Sequence, residues 1–388
     1  MSIRKLFCSG SKPRVLLFLF FLGISAITSA ACGYTEKNAT GNVLLLFLLL
    51  LLAHRNTLTS ITALLFLFCC ALYAPAGMTY GKINNSFIVA LLQTTTDEAA
   101  EFTGMIPVYH FLVSAAILVF MVIFWRTHHR GHRNWLALLL FVLCSVNSWP
   151  LRMVKGTVVG TTDTLREMQR YEQLSQHGAD SWKILPGAPL YDTIVIVTGE
   201  SVRRDYMSVY GYPGPTTPWL NTAPGLFIDG YTSAAASTVP SLSRTLIYDY
   251  EQNPDSGNNV VALAAKAGYS TWWISNQGKL GEHDTRISVI ASDAEHTVFL
   301  KKGSFASRKT DDMLLLQETE RALADKSSPK VIFLHMMGSH PNPCDRLHSW
   351  PNHYLERYPR KVACYLASIS KLDNFLGQLD GCLLYTSD

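Results

Sequence analysis

The sequence predicts a two-part fold: an α-helical membrane domain of five transmembrane helices, then an α/β domain built on a doubly wound sheet. Three observations carry this expectation. Nearly all the long apolar runs lie before Trp149. The segment Thr193-Ile-Val-Ile-Val197 is a short, continuous, β-branched run, the mark of a strand buried on both faces. Beyond it, helical and strand patterns alternate, which builds a parallel sheet with helices on both sides. Composition agrees with the split, because 48% hydrophobic and 16% charged residues are too apolar for disorder and too low in charge for an ordinary soluble domain. A net charge of +4 with no basic stripe argues against nucleic acid as a partner. Eight cysteines in 388 residues, without a C-x-x-C pair, exclude a disulfide-built scaffold.

Five apolar runs, at about Val15 to Ala31, Asn42 to Ala53, Leu58 to Tyr73, Val108 to Trp125 and Trp135 to Trp149, are the expected spans. The second is shorter than the roughly 20 residues that cross a bilayer. A cleaved signal peptide is the alternative for the first, but further apolar runs follow it immediately. Basic residues set the orientation: Arg4, Lys5, Lys12 and Arg14 precede the first run, Arg55 follows the second, and Arg126, Arg130 and Arg133 follow the fourth. The opposite loops carry little beyond Lys37 and Lys82, so the N-terminus is expected in the cytoplasm and everything after Trp149 in a bacterial periplasm. The sequons at Asn38 and Asn84 match a pattern common enough to arise by chance. In the loop Ile83 to Pro107, Thr94 and Glu98 share one helical face, either to hold a cationic headgroup at the interface or as an ordinary solvated face. The expected boundaries are 1–150 for the membrane domain, 151–189 for a linker or bridging helix, 190–381 for the catalytic domain and 382–388 for a non-native tail.

In the soluble part, helices are expected over Asn259 to Ala267, Asp311 to Asp325 and Val362 to Leu379, with strands over Ser270 to Ser275 and Lys330 to His335. Ligands of such sheets bind beyond the carboxyl ends of the strands. Glu200 follows the first strand directly, where a carboxylate needs a cation or a helix N-terminus to offset its burial. His335 closes a strand and reads as a core or supporting histidine, whereas His340 sits on a Gly-Ser-His-Pro turn and is available to a ligand. Thr238 precedes Pro240 and an apolar-periodic helix, so it is the expected N-cap. A capping threonine needs no other purpose, yet a hydroxyl at a helix N-terminus is also where a nucleophile meets a phosphoryl group with favourable dipole and N–H groups.

Together these residues resemble the inner-membrane phosphoethanolamine transferases of the alkaline phosphatase and sulfatase superfamily. The likeness runs through Gly211-Tyr-Pro-x-x-Thr-Thr-Pro-Trp219, Gly199-Glu-Ser-Val-Arg-Arg-Asp205, Thr271-Trp-Trp-Ile-Ser-Asn-Gln277 and Leu334-His-Met-Met-Gly-Ser-His-Pro341, and it is nearest to the branch assigned to osmoregulated periplasmic glucans. The resemblance implies a sulfatase-like fold, a zinc ion held by Glu200 and Thr238, Thr238 as nucleophile, and His340 and Asn276 at the phosphoethanolamine group. It also implies that Thr94 and Glu98 approach the headgroup of a phosphatidylethanolamine donor, although Ala90 stands where many relatives place Asn. The acceptor is a periplasmic glucan or a lipid A or core sugar. In the frame Thr238-Val-Pro-Ser-Leu242, threonine cannot become the formylglycine of a sulfatase, which favours covalent phosphoryl transfer.

The family's zinc site also needs an Asp-His pair and a further histidine, which are expected on a strand after the last helix and are not in the sequence. Residues Cys382 to Asp388 match the translation of a common transposase library adapter, so the native sequence is expected to end near Gly381 and the chain as written to be inactive. Cys344 and Cys364 fall in the exported domain, where an oxidising periplasm permits a disulfide; buried free thiols are the alternative. Two other readings compete: a phosphoglycerol transferase or phosphodiesterase of the same superfamily, and a non-catalytic membrane-anchored binding protein.

Overall fold

The computed structural model describes residues 11–35, 38–84, 87–88, 91–92, 99, 102–127, 135–146, 148–175, 181–185, 187–248, 258–278, 286–301 and 310–385. The chain forms two compact units, Met1–Arg166 and Glu167–Asp388.

The first unit holds α1 (Ser11–Ala31), α2 (Ala39–Ala53), α3 (Thr57–Tyr80), α4 (His110–Thr127), α5 (Trp135–Ser145) and α6 (Trp149–Ser175), the last running on into the second unit. The first three expected apolar runs fall within α1, α2 and α3, the fourth begins two residues before α4, and the fifth covers α5 and reaches the first residue of α6. By length and mean hydropathy α3 (24 residues, 2.0) and α4 (18 residues, 1.8) are sufficient to cross a membrane. Val15–Ala31 and Ala39–Ala53 are shorter apolar helices, and α5 with the first part of α6 is a pair bent by 61°. Among the described residues there are thus two helices of spanning length, or three with the bent pair. Phe21, Phe120 and Phe124 form an aromatic core, with Phe21 and Phe120 edge to face at 5.2 Å. Two buried histidines of this unit are paired, His54 Nε2 lying 3.1 Å from Thr127 Oγ1 and His110 Nδ1 3.0 Å from Thr79 Oγ1, whereas Thr28 Oγ1, Ser29 Oγ and Trp149 Nε1 are buried without a hydrogen-bond partner among the described residues. Outward-facing Leu72, Leu112 and Val119 are 69%, 71% and 58% exposed, a surface suited to lipid.

The second unit is built on β1 (Thr193–Thr198), β2 (Ser270–Gly278), β3 (His296–Lys301) and β4 (Lys330–His335), in the order β1-β4-β2-β3 with every neighbouring pair parallel. Its helices are α7 (Thr238–Leu246), α8 (Val260–Lys266), α9 (Arg286–Ser292), α10 (Leu314–Ala324) and α11 (Arg360–Tyr385). Strand alternation feeds two apolar clusters. Ile194, Ile196, Trp273, Val331 and Phe333 pack with α7, α8 and α9, while Val195, Val197, Ile274, Ile332 and Leu334 pack with α10 and α11. Helices therefore cover both faces. β4 is central and buried along its whole length, which explains its unbroken apolar sequence.

The expected strands at 193, 270 and 330 are present, and β3 and α9 are additional. β3 is an edge strand whose apolar stretch, Val298 to Leu300, is too short to stand out. The register sets Thr198 and Ser275 both opposite His335, so the carboxyl ends of β1, β2 and β4 are level at one edge of the sheet.

Candidate active site

The chain leaves β1 through Gly199, Glu200 and Ser201, and leaves β4 through Met336, Met337 and Gly338. The two exits touch. Met336 N–H donates to Thr198 O at 3.0 Å and Ser339 N–H donates to Glu200 O at 2.9 Å. Gly338 has φ +52°, and a Cβ there would lie 2.6 Å from Glu200 O and 2.8 Å from Glu200 N, so glycine alone permits the contact. With its backbone held, Glu200 accepts a hydrogen bond from Thr238 Oγ1 at 2.6 Å on one carboxylate oxygen and from Ser201 Oγ at 2.9 Å on the other. The short hydroxyl–carboxylate bond is of the charge-assisted kind.

Thr238 is not the N-cap expected from the sequence. Ser237, in an extended conformation, occupies the N-cap position of α7 without a side-chain capping bond, and Thr238 is the first helical residue. The physical reason is the bond just described, because a hydroxyl engaged by Glu200 is not turned back onto the helix N–H groups. The hydroxyl still sits at the positive end of α7.

Asp312 supports this arrangement from beneath. Its carboxylate accepts Met337 N–H at 2.8 Å, Gly338 N–H at 2.7 Å and Asn276 Nδ2 at 2.7 Å, tying the end of β2 to the β4 exit. Asn276 is fully buried and also donates to Thr310 O at 3.0 Å, so its amide nitrogen braces Asp312 and makes no hydrogen bond to the Glu200–Thr238 pair. His340 is half-buried on the turn beyond; its Nδ1 donates to Pro341 O at 2.9 Å and its N–H to Met337 O at 3.1 Å. His335 lies inside the sheet as expected, where burial pushes its pKa down to about 4 and keeps it neutral, but its Nε2 is buried without a hydrogen-bond partner. Thr94 and Glu98 lie outside the described residues.

α11 clamps the opposite side. Tyr365 OH donates to Ser201 O at 2.9 Å and accepts Arg203 N–H at 2.8 Å, and Ser368 Oγ donates to Ser339 Oγ at 2.8 Å. Buried Lys371 pairs with Asp311 at 2.6 Å and donates to Arg346 O at 2.9 Å. Cys344 and Cys364 are joined in a disulfide that fastens the preceding loop to α11. Asp312, Tyr365 and Ser368 are supporting residues the sequence reading missed. Asp312 stands just before α10, where an acid is ordinarily ascribed to the helix dipole. Tyr365, Ser368 and Lys371 recur at helical spacing on one side of α11, and that stripe is a local signal for their shared role.

Glu200 and Thr238 present two hard oxygen donors, which fit two positions of a tetrahedral zinc shell. Among the described residues no group of three or more His, Cys, Asp or Glu side chains is placed to hold a metal ion.

A sulfatase family model matches residues 192–380, from the start of β1 into α11. A Haemophilus influenzae protein, provisionally named a phosphoethanolamine transferase, is 36% identical over 320 residues, covering 79% of this chain and 66% of its own length. The phosphoethanolamine transferase OpgE of Escherichia coli is 33% identical over 335 residues, covering 80% of this chain and 63% of its own. The chain belongs to the phosphoethanolamine transferase family. It spans 66% and 63% of the length of these two members of the family. The solved structure of the integral membrane lipooligosaccharide phosphoethanolamine transferase EptA from Neisseria meningitidis matches 94% of this chain and 77% of its own, with a TM-score of 0.53 at 17% identity. The chain thus shares with it the fold of N-terminal apolar helices followed by a sulfatase-like α/β domain.

Proposed function

We propose that the whole protein transfers phosphoethanolamine from phosphatidylethanolamine to a sugar hydroxyl, on a periplasmic glucan or on a lipid A or core sugar. The observation that carries this reading is the 2.6 Å hydrogen bond from the Thr238 hydroxyl, at the N-terminus of α7, to the Glu200 carboxylate. Thr238 Oγ1 attacks the donor phosphorus while its proton passes to Glu200, and the phosphorus–oxygen bond to the glycerol breaks. Glu200 passes that proton to the departing glycerol oxygen, so diacylglycerol leaves neutral, and phosphoethanolamine remains esterified to Thr238. An acceptor hydroxyl then attacks the same phosphorus, its proton is taken up by Glu200, and the bond to Thr238 breaks with return of a proton to the threonine. Free N–H groups at the start of α7 face the charge that develops on the phosphoryl oxygens.

Glu200 and Thr238 are the residues of this chain that would hold zinc, which when bound supplies Lewis-acid charge and lowers the pKa of a hydroxyl. His340 serves the phosphoethanolamine group from the β4 exit turn, Asn276 supports that turn through Asp312, and Thr94 and Glu98 receive the donor headgroup. The membrane domain is 1–150 with five spans and a cytoplasmic N-terminus in the inner membrane, 151–189 bridges, and the catalytic domain from 190 lies in the periplasm.

The test is to incubate the whole protein with phosphatidylethanolamine and sequence the peptide that carries Thr238 by mass spectrometry. A phosphoethanolamine adduct on Thr238 with release of diacylglycerol is expected, and neither with Thr238→Ala. An active wild type without the adduct overturns the mechanism, and an adduct formed from phosphatidylglycerol in its place identifies a phosphoglycerol transferase.

A further inference from the structure

A cavity of about 350 Å³ opens beside α11 and is lined by Trp219, Trp350, Asp373, Asn374, Gly377 and Gln378, among others. It is separate from the reaction site. Asp373, Asn374 and Gly377 recur at helical spacing on one face of α11, and Tyr365, Ser368 and Phe375, which face the strand exits and the sheet, occupy the other. Nine residues of helix separate Tyr365 from Asn374, a rise of about 14 Å.

Both walls are built. Asp373 accepts Trp219 N–H at 2.8 Å and Leu220 N–H at 2.9 Å, which fixes the backbone that carries one indole. Thr216 and Thr217 just before it are fully buried, Thr216 Oγ1 donating to Tyr206 O at 2.7 Å and Thr217 Oγ1 accepting Val209 N–H at 2.9 Å. Gly377 lets that indole lie flat on the helix, since a Cβ there would meet the Trp219 ring at 3.0 Å. Trp350 forms part of the other wall, on the loop fastened by the Cys344–Cys364 disulfide, where it packs, as Cys344 and Tyr354 do, against the buried cluster of Leu347, Cys364 and Ala367. The carboxamides of Asn374 and Gln378 pair with each other at 2.7 Å at the rim.

The chemistry of the lining selects the occupant. Among the described residues no lysine or arginine lines the cavity, which disfavours phosphate and other anions. The one carboxylate already takes two backbone N–H groups. The rest of the lining is two indoles, Pro218, the Ser370 hydroxyl and two carboxamides, and this combination suits a neutral polyhydroxyl ring. The polarised C–H groups of a pyranose face rest on the negative face of an indole, and its hydroxyls bond to amides. We propose that this cavity is a glycan subsite that takes a neutral pyranose ring of the acceptor. It rests on the reading that the acceptor is a sugar polymer, and its distance along α11 lets one oligosaccharide chain occupy the subsite while presenting a hydroxyl near Thr238.

The experiment is calorimetric titration of the full chain, in a zwitterionic detergent free of sugar, with a linear glucan oligosaccharide. A phosphorylated glucosamine disaccharide is titrated in parallel. Saturable binding of the glucan is expected, with Kd raised at least tenfold by Trp350→Ala and by Asn374→Ala. Asn374 is half-exposed and bonded only to Gln378 at the rim, so its variant reads the subsite even where loss of Trp350 disturbs the packing around it. Absence of glucan binding, an unchanged Kd in Asn374→Ala, or tighter binding of the phosphorylated disaccharide overturns the proposal. The Thr238 adduct needs no acceptor, so an adduct without glucan binding removes the subsite alone, and glucan binding without an adduct removes the reaction alone.

Discussion

At Thr238 one hydroxyl has two uses, capping α7 or meeting Glu200, and the structure gives it to Glu200. Glu200→Gln keeps a group of the same shape that accepts a hydrogen bond but no proton. Adduct formation is therefore expected to fall by about 10²–10⁴-fold with Thr238 still in place; mass spectrometry of the Thr238 peptide over time measures it, and an unchanged rate removes Glu200 as proton acceptor. Gly338→Ala drives a methyl group into the Glu200 backbone at a positive φ. A stability loss of about 1–2 kcal/mol is expected from the left-handed conformation alone, with slower adduct formation as Glu200 is displaced; denaturant titration reads the first and the adduct assay the second. His335 contributes a pH dependence. Its folded pKa is depressed from 6.5 to about 4, so the unfolded chain takes up a proton that the folded one refuses. Stability from this group is complete above pH 6.5 and is lost as pH falls toward 4, by about 3 kcal/mol in all. Denaturant midpoints across that range are expected to converge between wild type and His335→Asn at low pH, and parallel curves refute the assignment. At this scale Glu200, Thr238 and the His335–His340 contrast were legible, because each stands at a strand or helix end where polar side chains are conspicuous. Asp312 and Asn276 were not legible in their roles, since what defines them is a set of bonds to residues tens of positions away.

Among the elements, β1 and β4 announced themselves through unbroken apolar sequence, which in β4 follows from burial on both faces, whereas β1 is half-buried at an edge of the sheet. β3 and α9 did not, because an edge strand needs only a few apolar residues and a seven-residue helix shows barely two turns of period. α11 was foreseen as a helix, but not as the clamp on both strand exits. Its attachment through Cys344–Cys364 closes a loop with a sequence separation of 20. Removing that link by Cys344→Ser with Cys364→Ser is expected to lower the unfolding free energy by roughly 3 kcal/mol. Denaturant titration against the oxidised wild type checks this, and equal midpoints argue that the loop is held by packing alone. In β4, Phe333 is 3% exposed and lies against Trp273, with ring centroids 5.6 Å apart. Phe333→Ala is expected to cost about 3–5 kcal/mol by the same measurement, since a central strand cannot collapse into the space left behind.

For the molecule as a whole, the 48% hydrophobic composition averages an apolar helical unit with a soluble α/β unit. The lipid-suited surface of α3 and α4 predicts that the protein stays with membranes through high salt and alkaline extraction; recovery in the supernatant contradicts it. Periodicity and apolar run length determined, from the sequence by itself, that apolar helices come first and a helix-covered parallel sheet follows. Chemistry at a strand end singled out Glu200, and at a helix start Thr238, as candidates. Tertiary structure alone decided that Glu200 and Thr238, 38 residues apart, share a hydrogen bond, that Asp312 and α11 hold the turns around them, and that Trp219 and Trp350 line one cavity. The physical reason is that burial leaves a repeating signature along the chain, whereas a hydrogen bond or a cavity wall between distant residues depends on how the elements pack and leaves none.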